Sequence, residues 1–106
     1  MKTRTYRNAW DNWTTESVIE ISDTMRLNIV TMKRHSGVLA TTAQVQHKHT
    51  SANFYTYEPF KDYNKQLLTS NPARCTRQLV EAQHERVMQN LDVIIDAVEN
   101  HYGVAV

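Results

Sequence analysis

The sequence predicts an α+β fold: an antiparallel β-meander of about four strands (residues 17–58) with one long C-terminal helix (about 72–102) packed on it. Three observations carry this expectation. Thr, Val, Ile, Tyr and Phe are frequent before residue 70, and these residues fit a pleated, half-buried surface. Glu, Gln, Arg, Leu and Ala dominate after it, and these favour helix. The hydrophobic period changes at the same place, from two to between three and four.

Taken in order, residues 1–13 leave two options, an added strand or a loose N-terminal arm. Ser17–Ser22 is short and β-branched, and Asp23–Thr24 suits a turn. Arg26–Arg34 reads as a second strand. His35-Ser36-Gly37 then supplies a turn with a glycine for positive φ. Val38–His49 alternates clearly: Leu39, Thr41, Ala43, Val45, His47 and His49 share one face. Thr50–Asn53 is the next turn and Phe54–Glu58 a fourth strand, which Pro59 ends or marks as an edge. Residues 60–70 fit a loop, a short helix or a fifth strand.

Asn71 suits a helix N-cap, Pro72 the first helical position and Gly103 the position just past the end. Between them Val80, His84, Val87, Leu91, Ile94 and Val98 recur at steps of three and four. A helix over 72–102 would be roughly 46 Å long, whereas a domain of this size has a diameter of roughly 33 Å. The helix therefore breaks, around Gln89–Asn90, or one end projects and needs a partner. Dimerisation through the stripe Val87, Leu91, Ile94 and Val98 is the expectation for a projecting end.

The chain of 106 residues is read as a single domain, 1–106. Twelve Lys and Arg against eleven Asp and Glu give a net charge of +1, which argues against a strongly basic nucleic-acid module and against a strongly acidic one. The balance is uneven along the chain. The N-terminal half carries seven basic and four acidic residues, the C-terminal half five basic and seven acidic. One cysteine, Cys75, excludes an intramolecular disulfide framework. No apolar run is long enough for a membrane span, and no apolar segment follows the basic start as in a secretory signal. A cytoplasmic location is the resulting expectation.

No catalytic constellation stands out. There is no glycine-rich phosphate loop, nucleophile elbow or H-E-x-x-H segment, so no enzyme is expected, and no cofactor. His47 and His49 lie on one side of a strand, but nothing in the spacing supplies further ligands, so no metal site is assigned. His84 sits on the apolar stripe, where a histidine is a hydrogen-bonded core residue more often than a ligand. Cys75, near Arg74 and Arg77, gives no assignable base for a reactive thiol.

Charges offer two candidate surfaces. Glu85, Asp92, Asp96 and Glu99 form an acidic ridge on the predicted helix, set against its dipole. This ridge supports a non-catalytic macromolecule-binding protein, of the kind a small phage or mobile-element inhibitor would be. Its partner would be a host protein or protein complex, a nuclease or defence complex whose nucleic-acid surface the ridge blocks. The alternative is a small nucleic-acid-binding module. Its face would comprise Lys33, Arg34, Lys48, Tyr55 and Tyr57, with Trp10 and Trp13 close in sequence. A second alternative is a structural or assembly subunit.

Overall fold

A computed structural model describes the backbone of residues 1–48 and 57–102 and the side chains of 1–47 and 64–102. The chain forms a five-stranded antiparallel sheet followed by two helices, an α+β arrangement. The strands are β1 (Lys2–Arg7), β2 (Trp13–Glu20), β3 (Met25–Lys33), β4 (Leu39–Lys48) and β5 (Tyr57–Ser70), in spatial order β1-β2-β3-β4-β5. The helices are α1 (Arg77–Met88) and α2 (Leu91–Tyr102).

The expected meander is present with one strand more at its start and a longer strand at its end. The N-terminal residues are a strand, held by a register that places Thr5 opposite Thr15 and Thr3 opposite Ser17. Residues 60–70 belong to β5. Pro59 lies inside that strand, opposite Gln46, which is tolerable because β5 is an edge. The β4–β5 register slips between Thr41 and Thr42 and between Gln44 and Gln46. The predicted turn Thr50–Asn53, and with it His49, Phe54 and Gly103, lies outside the described residues.

Alternation sorts the side chains as anticipated for β4. Leu39, Thr41, Ala43 and Val45 are buried on one face, together with Thr15, Ser17 and Ile19 of β2 and Met25, Leu27, Ile29 and Thr31 of β3. The helices cover this face. Val87 of α1 and Ile94 and Val98 of α2 complete one apolar cluster with Ile19, Met25, Leu27, Ile29, Ala43 and Val45. On the opposite face Thr14 and Ala40 are buried as well, in the row they share with Met32, where Asn8 of the β1–β2 connection bonds to Thr14.

The single long helix is corrected in two places. It starts at Arg77, because the Thr76 hydroxyl accepts the Leu79 N–H at 3.3 Å and takes the N-cap role expected of Asn71. It is also broken at Gln89–Asn90, where the Asn90 N–H bonds to the Val87 carbonyl at 3.0 Å, one residue short of helical spacing. The unbroken rod would have exceeded the 43 Å longest dimension of the molecule. The break relieves the charge pattern in part: Arg86 now closes α1 and Asp92 opens α2, while Arg77 at the start of α1 and Glu99 in the last turn of α2 stay opposed to the dipoles.

Candidate functional site

Two connections meet at one end of the sheet. The β1–β2 loop is organised by Asn8, whose Oδ1 accepts the N–H of Trp10 at 3.0 Å and of Asn12 at 3.1 Å. Its Nδ2 donates to Thr14 Oγ1 at 3.1 Å, and its backbone exchanges bonds with Asp11 and Asn12. Asp11 takes a positive φ of 59°, uncommon for a non-glycine residue, and its carboxylate pairs with Arg7 at 2.8 Å. The loop so held presents Trp10 outward, with 64% of its surface exposed. The β3–β4 turn is closed by bonds from the Arg34 N–H to the Val38 carbonyl and from the Gly37 N–H to the Arg34 carbonyl. Gly37 has a φ of 90°, as the turn requires.

Between loop and turn lies a cleft of about 380 Å³ lined by Trp10, Asn12, Met32, Lys33, Arg34 and His35. The Trp10 and His35 rings stand nearly perpendicular, 5.8 Å apart, so neither stacks on the other. The side-chain amide of Asn12 makes no hydrogen bond among the described residues, and Lys33 and Arg34 make no ion pair among them. No carboxylate of the described residues lines the cleft. Close by, Trp13 carries the guanidinium of Arg7 at 4.7 Å and that of Arg77 at 5.3 Å, which ties the N-terminus of α1 to this end. Arg77 also pairs with Glu81 at 3.1 Å.

Of the predicted nucleic-acid face, Lys33 and Arg34 reach the cleft, but Lys48 ends β4 at the opposite end of the sheet. Nine residues separate it from Leu39, the partner of Lys33, or about 30 Å of extended chain. Tyr57 pairs with Lys48 at that far end, and its side chain, like that of Lys48, lies outside the described residues, as does Tyr55 altogether. The aromatic and polar members of the cleft are instead Trp10, Asn12 and His35. The available signal was the turn-forming run Asn8-Ala9-Trp10-Asp11-Asn12, which places a large apolar residue where a tight loop exposes it.

The acidic residues lie elsewhere. Glu85 is exposed on α1. Asp92 and Asp96 are exposed and Glu99 half-buried on α2, which carries no Lys or Arg. None of the four makes an ion pair among the described residues. The stripe offered for dimerisation is occupied within the chain. Val87, Ile94 and Val98 are buried and Leu91 packs against the same cluster, so a dimer through it would have to lift the helices off the sheet.

Under α1 runs a polar chain. His84 Nε2 lies 2.7 Å from Ser17 Oγ, and Nδ1 lies 2.9 Å from Thr31 Oγ1. Thr31 Oγ1 is 2.7 Å from Thr41 Oγ1, which accepts from Gln83 Nε2 at 3.1 Å. Gln83 also donates to the Leu39 carbonyl, and its Oε1 accepts from the Ser70 hydroxyl. Both ring nitrogens of the histidine thus have a hydroxyl partner, and the chain continues from Ser17 Oγ to Thr3 Oγ1 at 2.8 Å. Burial holds the imidazole neutral, lowering its pKa to about 4. The histidine is thus a hydrogen-bonded core residue.

Among the described residues no group of three or more His, Cys, Asp or Glu is placed to hold a metal ion. No described helix is long and apolar enough to cross a membrane. No protein-family model, curated protein or solved structure matches the chain.

Proposed function

We propose that the protein is a non-catalytic nucleic-acid-binding module that engages phosphates at the Lys33–Arg34 end of its sheet. The observation that carries this reading is the pair of adjacent exposed cations with no carboxylate partner among the described residues, at the rim of a cleft lined by no described acid. The net charge of +1 conceals a segregation that supports it. The carboxylates of α2 ride over the half of the sheet bearing Ile19, Met25, Leu27 and Val45, away from Lys33. Met25 and Lys33 are eight residues apart on β3, about 27 Å. Phosphate contacts release counterions, so binding should weaken linearly on a log–log plot against salt. The test is anisotropy of a labelled oligonucleotide across salt concentrations. Lys33→Glu with Arg34→Glu should abolish binding and Asp92→Lys with Asp96→Lys should not. Salt-independent binding, or none, overturns the reading.

A second reading rests on Asp92, Asp96 and Glu99, three carboxylates on one helix without ion-pair partners among the described residues. Here α2 docks on a basic surface of a host nuclease or defence complex and blocks its nucleic-acid groove. In that case nuclease inhibition should be lost in the Asp92→Lys, Asp96→Lys protein and kept in the Lys33→Glu, Arg34→Glu protein.

A further inference from the structure

Resting on the nucleic-acid reading, we infer that the Trp10 cleft is a subsite for one unpaired nucleotide, and that the protein therefore selects single strands over duplex. The cleft holds the three chemistries such a nucleotide needs. Trp10 offers an exposed indole with no parallel ring against it, and base–indole stacking tolerates any sequence. Asn12 offers an amide that is both donor and acceptor and is unused among the described residues, matching the edge of a base. Lys33 and Arg34 stand on the same rim for the flanking phosphates. The volume of about 380 Å³ falls in the range, roughly 300–1,000 Å³, of sites for small organic ligands.

Rigidity is the second argument. An exposed tryptophan on a mobile loop would lose much of its stacking free energy to ordering. Here Asn8 holds both flanking amides, Arg7 holds Asp11, and Gly37 sets the opposing turn. Asp11 keeps an unfavourable backbone conformation in the middle of this loop, and such conformations cluster at ligand-binding segments. A base in a duplex is already stacked and paired, so it cannot enter the cleft without being flipped out.

The test compares single-stranded DNA and RNA oligonucleotides of one sequence with a blunt, closed DNA hairpin. Binding is followed by anisotropy and by tryptophan quenching. Both single strands should bind more tightly than the hairpin and quench fluorescence, and the quench should vanish in Trp10→Phe, where only Trp13 emits. Trp10→Ala should weaken single-strand binding about 5- to 100-fold while leaving hairpin binding unchanged. Trp10→Phe should keep most of the affinity, and both variants should melt like the parent because the side chain is exposed. Equal affinity of Trp10→Ala and parent for single strands, or equal parental affinity for strand and hairpin, overturns the subsite. If Lys33→Glu with Arg34→Glu still abolishes binding in that event, the nucleic-acid reading survives. If no oligonucleotide binds, both fall.

Discussion

His84 Nε2 and Ser17 Oγ lie 2.7 Å apart beneath α1, joining the helix to β2 through a hydrogen bond with 2% of the histidine exposed. The bond is one link in a chain that crosses from Thr3 on β1 to Ser70 on β5 by way of His84 and Gln83. Removing a link strands a buried polar atom. Ser17→Ala should leave the buried Nε2 without its hydrogen-bond partner and destabilise the fold by about 1–3 kcal/mol. Thr5→Val, nearer the surface, should cost less. Urea denaturation of the two variants beside the parent gives the comparison.

The same histidine gives stability a pH dependence. Its folded pKa is about 4, against about 6.5 when unfolded. Between these values the unfolded chain binds the proton and the folded chain does not, so stability falls as pH falls through this window. The full contribution is present above pH 6.5, and about 3 kcal/mol is lost by pH 4. His84→Gln should remove that slope. An unchanged slope in the variant would assign it to other groups.

The two faces of α2 should respond differently to truncation. Ile94 is buried in the core cluster, and Ile94→Ala should cost about 2–5 kcal/mol. Val93, one residue earlier, is 68% exposed, and Val93→Ala should stay within about 0.5 kcal/mol. Thermal melts of both variants test the orientation of the helix.

Asn28 sits on the face of the sheet away from the helices, opposite Val18 and Gln44, with its Oδ1 buried and unpaired among the described residues. Asn28→Val replaces the unpaired acceptor with a side chain suited to a strand. The expected outcome is a gain of about 1 kcal/mol, read as a higher melting temperature.

The alternation of β4 and the apolar spacing from Val80 to Val98 state which side chains face inward, and the structure agrees because burial acts on every second or every third-to-fourth position. Helix termini were less legible. Asn71, Pro72 and Gly103 make a consistent set of helix-boundary signals, but Thr76 outcompetes Asn71 because β5 continues to Ser70 and the chain must first leave the sheet. Of the charges opposed to the dipole of one helix, Asp92 fits the break because it opens α2, whereas Arg77 and Glu99 remain opposed. Of the candidate site, Lys33 and Arg34 were visible as adjacent cations. Trp10 joins them only because the β1–β2 and β3–β4 connections fall at the same end of the meander, a fact of strand pairing that local sequence does not contain.

Separating the charges of α2 from Lys33 and Arg34 also has a kinetic consequence. These five side chains form a separated pair of opposite charges, on which an approaching polyanion exerts a torque before any contact forms. Rotation ahead of collision presents the Trp10 end first, and the frequency of productive encounters rises at low ionic strength even though the monopole is almost nil. Swapping Asp92, Asp96 and Glu99 for amides takes the net charge from +1 to +4, so capture at low ionic strength should speed up while the lifetime of the complex stays unchanged.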